Sequence, residues 1–376
     1  MRKNLKPLVD LSRSAEGSIA SKVIAPKALG VGSMYSSIGV RQGTYRPISA
    51  YTPSAVFQWL QSFWHYRVGK RPAFKTYQKT NGITTMPSMA RISLVADWGS
   101  GTNEAYEIGQ NVHSYNSNYT IHLGDIYYVG DSSEVNENFL GISESQYEAC
   151  IWPRGFDGSF VLPGNHEFYS RGISFYDQVL PSVNQEASYF CLENDYWRII
   201  GLDTGYNSIG IPLLENVIQP SCGLRQEQID WINDVVQPEK DKRGIILLSH
   251  HQYYSAFEKA YPKAGEQLSS IIKRPVLWFW GHEHRMTVYN KYKNVYGRCI
   301  GHGGMPVEII DTINDLKYAF TDTRLYPNDE GLSIGYNGYV NLVFNGNTLQ
   351  VNYMDVHGSQ VYKENVFVGN GVLSVN

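Results

Sequence analysis

Residues 119–131 read YTIHLGDIYYVGD. An apolar run this short, rich in β-favouring residues, has the form of a buried strand. It stops on Gly124 and Asp125, and two adjacent tyrosines, Tyr127 and Tyr128, follow. Taken alone, this is a strand end beside aromatic packing residues. The chain repeats the arrangement, however. ARISLVAD (90–97) ends on Asp97, SFVLPGNHE (159–167) runs into a turn at Gly164 and Asn165, RGIILLSHH (243–251) ends on two histidines, and PVLWFWGHEH (275–284) ends on His282 and His284. YWRIIGLDT (196–204) is a further strand-like run.

Helical patterns lie between these runs. NEAYEIGQNVHSY (103–115) is one, and LRQEQIDWINDVV (224–236) is another, with Leu224, Gln228, Trp231, Ile232 and Val235 on one side. Strands alternating with helices predict an α/β arrangement. The tail is different. YVNLVFNGNTLQVNYMDVHGSQVYKE (339–364) predicts antiparallel hairpins, with turns at Asn345–Gly346 and His357–Gly358. Residues 1–88 are rich in Ser, Gly, Pro and Tyr. They are expected to form an extension ahead of a domain spanning 89–376. Its one helical stretch, SAVFQWLQSFWHYRV (54–68), aligns Val56, Leu60, Phe63, Trp64 and Arg67 on one face. That face suits packing on the main domain, or contact with a protein or a surface.

Composition narrows the function. The 376 residues are 42% hydrophobic and 18% charged, with a net charge of −3. No global basic field points to nucleic acid. No run approaches the 18 apolar residues of a membrane span. The basic N-terminus lacks the apolar core of a secretory signal, so the compartment stays open. The four cysteines, Cys150, Cys191, Cys222 and Cys299, form no CxxC pair. A thiolate zinc site is therefore not expected.

In open α/β sheets the carboxyl ends of the strands form the ligand crevice. Asp97, Asp125, Asn165, His250 and His282 are therefore expected to converge. Their types suit a two-metal site. Carboxylates are hard donors able to bridge two cations, imidazoles suit Zn, Mn or Fe, and an amide oxygen binds without adding charge near an anionic substrate. In GHEH (281–284) the two histidines point the same way if the chain is extended.

These blocks, DWG at Asp97, GDIYY at Gly124, GNHE at Gly164, LLSH up to His250 and GHEH at Gly281, resemble in order those of the metallophosphoesterase superfamily. Within it they look most like the purple acid phosphatases, which share the Asp-Trp-Gly start and a GDxxY block with Tyr at Asp+3. The resemblance implies two mixed β-sheets packed face to face and flanked by helices, a four-layer sandwich. The strand-end argument does not separate this from one doubly wound sheet. It implies that Asp97, Tyr128 and His284 bind a first metal, with Fe(III) expected on the Tyr128 phenolate. Asn165, His250 and His282 would bind a second, Fe, Zn or Mn, and Asp125 would bridge. Tyr127 is then a packing neighbour. His166 resembles the family's histidine near the substrate, and Glu167 is either its partner or a surface carboxylate. His250 is favoured over His251 because LLSH fits the fourth block, and alternation puts the two on opposite faces. His251 is a cleft or structural histidine. The family's further histidine beyond the fourth block is missing from QYYSAFEKAYPKAGEQL (252–268). The leaving-group acid is then His166, or a substitute among His251, Tyr253, Tyr254 and Lys259. His302 is a further cleft candidate.

The implied function is hydrolysis of phosphate monoesters by attack of a metal-bound hydroxide. A diesterase acting on a cyclic nucleotide, phospholipid or nucleic acid is the alternative, with the loop 311–333 (Tyr318, Arg324, Tyr326) as a candidate pocket wall. A scaffold or receptor that has lost the chemistry is the third reading.

Overall fold

The computed structural model describes residues 45–51, 71–208, 220–240, 242–328 and 330–376. The helical stretch expected at 54–68 lies outside these residues. In chain order the strands are β1 (Ile83–Thr85), β2 (Met89–Val95), β3 (Tyr119–His122), β4 (Gly158–Val161), β5 (Phe190–Glu193), β6 (Trp197–Leu202), β7 (Gly244–Ser249), β8 (Val276–Trp280), β9 (Met286–Tyr289), β10 (Val295–Ile300), β11 (Tyr318–Thr321), β12 (Leu325–Pro327), β13 (Ser333–Gly335), β14 (Gly338–Asn345), β15 (Thr348–Asp355), β16 (Gln360–Gly369) and β17 (Val372–Val375).

Among the described residues they form two large mixed sheets and a small hairpin. One sheet runs β1-β5-β6-β7-β8-β10-β9-β11 and the other β17-β16-β15-β14-β2-β3-β4. Strands β6, β7, β8 and β10 are parallel in the first sheet, and β2, β3 and β4 in the second.

The apolar runs are continuous because both faces of these strands are covered. In β7, Ile246 and Leu248 enter the core between the sheets, while Ile245 and Leu247 face the outer layer. In β8, Leu277 and Phe279 point inward, and Val276, Trp278 and Trp280 outward. From the opposing sheet, Ile92, Leu94, Ile121, Leu342 and Val351 complete the central core. One ion pair crosses it: Arg298 on β10 meets Glu364 on β16 through two bonds of 2.7 Å.

Helix α1 (Asn103–Tyr115) covers the outer face of the second sheet through Ala105, Ile108 and Val112. It starts where the Thr102 side chain accepts from Ala105 N. Leu224, Trp231, Ile232 and Val236 cover the first sheet. The face expected there ended on Val235, but that residue is exposed and Val236 is buried. The helix Gln226–Trp231 passes into a π-helical turn, Ile232–Val236, which widens the spacing by one residue. The result is four layers: helix, sheet, sheet, helix.

The tail folds as antiparallel hairpins, β14–β15 and β15–β16, with Gly346 and Gly358 at positive φ in the turns. A third turn at Asn370–Gly371 adds β17. Residues before 89 also enter the fold. Strand β1 pairs with β5, Met86 lies in the central core, and Phe74 and Tyr77 pack on the outer face of the first sheet. The four cysteines are buried thiols. No helix among the described residues is long and apolar enough to cross a membrane.

Candidate metal centre

Both sheets deliver side chains to one rim. Asp97 follows β2, Asp125 follows β3, and Asn165 follows β4, all in the second sheet; His250 follows β7 and His282 follows β8, in the first. The backbone leaves three of these strands through the left-handed region, with φ of 59° at Asp97, 73° at Asp125 and 69° at His282. Such conformations cost a non-glycine residue on the order of 1–3 kcal/mol, and they persist where the surroundings hold them in place. Gly164 leaves the room the site needs: a Cβ there would sit 2.0 Å from Asp125 Oδ1.

The donor atoms meet in two overlapping groups. Asp97, Asp125 and His250 form one, and His250, His251 and His282 the other, the atoms of each lying within 4.8 Å of one another. Asp125 Oδ2 is 3.2 Å from His250 Nε2, and Asp125 Oδ1 accepts from His166 N at 3.0 Å. Asn165 Oδ1 lies 3.0 Å from His282 Nδ1 and 3.1 Å from His250 Nε2. His284 Nε2 is 3.6 Å from Asp97 Oδ1. Separations near 3 Å match the edges of an octahedral shell with bonds of about 2.1 Å. His250 Nδ1 donates to the Leu123 carbonyl, which orients the ring and turns Nε2 inward.

The charges also fit a cation. Burial, opposed by His250, pushes Asp97 up to about 7. Burial acts the same way on Asp125, but His250 and His166 pull it well below the usual carboxylate range. Burial opposes protonation of His250, yet Asp125 carries it up to about 9. Burial lowers His282 to about 3 and His284 to about 4, so both rings are neutral and able to ligate.

At the carboxylates the structure places Tyr127, where the sequence reading expected Tyr128. The Tyr127 hydroxyl donates to Asp97 Oδ1 at 2.7 Å and lies 3.1 Å from Asp125 Oδ2 and 3.0 Å from His284 Nε2. The Tyr128 hydroxyl instead reaches the Ala50 carbonyl at 3.3 Å, and its ring packs on Tyr51. The turn after Asp125 brings the Asp+2 phenol to the carboxylates, a direction that spacing alone does not reveal.

The two adjacent histidines also depart from expectation. Strand β7 ends at Ser249, so alternation no longer governs His250 and His251. Their rings lie on the same side, with centroids 4.9 Å apart. His251 N donates to Thr204 Oγ1 at 3.1 Å, and that hydroxyl is 2.9 Å from His251 Nδ1. Thr204, at the end of the YWRIIGLDT run, was not anticipated, although its signal is the same strand-end position.

His166 lies beside the cluster. Its Nδ1 pairs with the Tyr128 carbonyl, its Nε2 is 3.8 Å from Asp125 Oδ2, and its side chain is 16% exposed. Glu167 is neither a surface carboxylate nor the partner of the His166 ring. It is fully buried, and its Oε2 accepts from Gly164 N at 2.8 Å and Asp125 N at 3.2 Å. The ring of His302 lies against Gly338, away from these donors. Arg324 pairs with Asp322 and Asp355, and Tyr326 packs in the α1 layer, so neither forms a wall of the site. Tyr318 packs on Phe257, with ring centroids 5.7 Å apart.

Residues 90–286 match the family model for calcineurin-like phosphoesterases, slightly more than half of the chain. The chain belongs to that family. Among solved structures it is similar to GAP50, the anchor in the inner membrane complex of Plasmodium, at 12% identity and a TM-score of 0.51, covering 75% of this chain and 89% of that one. A dimetal phosphatase from Danio rerio is matched at 11% identity and a TM-score of 0.47, over 74% of this chain and 99% of that one. At such identities the likeness concerns the fold. No curated protein matches the sequence.

Proposed function

We propose that the chain is a binuclear-metal phosphatase that hydrolyses phosphate monoesters, with a centre of the purple acid phosphatase type. The observation that carries this reading is the convergence of Asp97, Asp125, Tyr127, Asn165, His250, His282 and His284 from two sheets onto one rim. Asp97, Tyr127 and His284 would hold one metal, and Asn165, His250 and His282 the other. Asp125 lies between, its two oxygens directed to different neighbours. Two metals bound here supply Lewis acidity toward a phosphoryl oxygen and make water a nucleophile near neutral pH. A phenolate at Tyr127 is a hard donor suited to Fe(III).

The chain's own groups do the rest. Asp97 and Asp125 offset cationic charge, so that an anionic ester is bound without being trapped. Asn165 contributes an oxygen without charge. His166 donates Nδ1–H to the Tyr128 carbonyl, so Nε2 is the atom left to hold a phosphate oxygen or to pass a proton to the leaving oxygen.

The test is metal analysis with steady-state hydrolysis of phenyl phosphate and of its diester. Two metals per chain are expected, with the monoester preferred. Asn165→Ala and His282→Ala are expected to lower kcat by at least about a thousandfold while circular dichroism is unchanged. Activity retained in either variant would remove the assignment.

A further inference from the structure

A cavity of about 420 Å³ opens beside Asn165 and His282. Its walls near those two residues are aromatic. Tyr169 packs on His166, with centroids 4.8 Å apart, and its hydroxyl accepts from Asn165 Nδ2. On the other side Tyr261 lies 5.6 Å from His282 and 5.1 Å from His251, centroid to centroid. Phe257 and Ile313 also line it, together with Gln252, Glu258 and Lys259.

This wall is tied to the loop that carries the histidines. Glu283, between His282 and His284, accepts from Ser255 Oγ. Ile313 N donates to Ala256 O at 2.7 Å, and Asn314 Nδ2 to Ser255 O at 2.8 Å. The cavity is therefore formed before a ligand arrives, and its position relative to the metal donors is fixed. Its volume accommodates one ring with a short chain.

From these contacts we infer that the cavity seats the departing alcohol and selects an aromatic one. The phosphoryl group sits at the metal donors, and the ring lies between Tyr169 and Tyr261, capped by Phe257 and Ile313. In the hydrolysis, oxygen from water forms the new bond to phosphorus. The bond from phosphorus to the alcohol oxygen breaks, and the departing alkoxide takes up a proton. Aromatic faces favour a planar ring over a puckered one of equal carbon count, because offset and edge contacts add to burial.

The direction in which the alcohol leaves rests on the hydrolase reading, and the experiment separates the two. Benzyl and cyclohexylmethyl phosphate release alcohols of equal carbon count and similar acidity. With the full chain loaded with Mn(II), kcat/KM is expected to favour the benzyl ester by about tenfold. The ratio should fall to near one in Tyr261→Ala, persist in Tyr261→Phe, and drop partway in Ile313→Ala. A ratio near one in the parent protein, or one untouched by Tyr261→Ala, overturns the inference. If neither ester is hydrolysed, the hydrolase reading fails, and the corresponding phosphonates decide the cavity by calorimetry. Benzylphosphonate binding about tenfold tighter than its cyclohexyl counterpart, with the gap lost in Tyr261→Ala, supports an aromatic seat. Equal binding overturns it.

Discussion

The Tyr127 hydroxyl is 2.7 Å from Asp97, whereas that of Tyr128 reaches Ala50. If the phenolate reading holds, the as-isolated protein is coloured by charge transfer from tyrosine to Fe(III). Tyr127→Phe should abolish the visible band and Tyr128→Phe should keep it; the opposite pattern would return the role to Asp+3. Asp203, outside the proposed metal-ligand set, offers a separate test. Burial raises its carboxyl from 3.8 to about 6, although Ser188 Oγ and Tyr206 N donate to it. The folded chain thus binds this proton more tightly than the unfolded chain. Stability should be fully present below about pH 4 and decline as the pH rises to about 6, by about 3 kcal/mol. Asp203→Asn keeps an acceptor without the charge, so its advantage over the parent should grow across that interval in urea titrations. An advantage that does not change with pH would show that the carboxylate is not the source. That Asp97, Asp125, Asn165, His250 and His282 meet at one rim was legible in the sequence, because each follows an apolar run. The choice between Tyr127 and Tyr128, and the common side of His250 and His251, were not, because both are set by backbone turns beyond the strands.

Elements of very different length position the site. Strands β2, β3, β4, β6, β7 and β8 were readable from their apolar runs, and the β14–β15 and β15–β16 hairpins from Asn-Gly and His-Gly turns; β1, β5, β9–β13 and β17 were not read. The short helix Asn165–Tyr169 was not, since five residues give no periodicity; the sequence shows only GNHE. Its Glu167 draws together the turns that carry the proposed ligands Asp125 and Asn165 by accepting from Gly164 N and Asp125 N. Glu167→Ala leaves both amides without that acceptor. A destabilisation of about 1–3 kcal/mol is expected, with metal affinity falling about 10- to 100-fold. Thermal unfolding and metal titration check the two parts. Unchanged affinity would mean that the turns hold their shape without the carboxylate. The π-helical turn at Ile232–Val236 shows another limit, since a helical wheel drawn at 3.6 residues per turn puts Val235 where Val236 lies.

At the scale of the molecule, strand ends alone did not reveal the division of the strands between two sheets. The carboxyl-end rule holds within a single sheet, and it places the same residues on one rim whether the strands share a sheet or face each other. In β7 and β8 the inward and outward faces are equally apolar, so no pattern in them marks which side meets the other sheet. The Arg298–Glu364 pair spans that interface with 2% and 4% of the side chains exposed, and Tyr353 also donates to Glu364. Removing one partner strands the other charge, so Glu364→Ala should cost about 3–5 kcal/mol in guanidinium unfolding. Replacing both as Arg298→Met with Glu364→Leu should cost far less. Equal costs would show that shape, not charge, sets the effect. The proposed metal donors come from both sides of the same interface, three strand ends from one sheet and two from the other. Each of the two proposed metals would draw donors from both sheets, so it would be bound only while the layers are docked, and at a hundredfold excess over its Kd it would add about 2.7 kcal/mol to that docking. Chelator and denaturant would then act on one equilibrium, and on the proposed reading scarcity of metal would be felt by this chain as a loss of cohesion as well as a loss of chemistry.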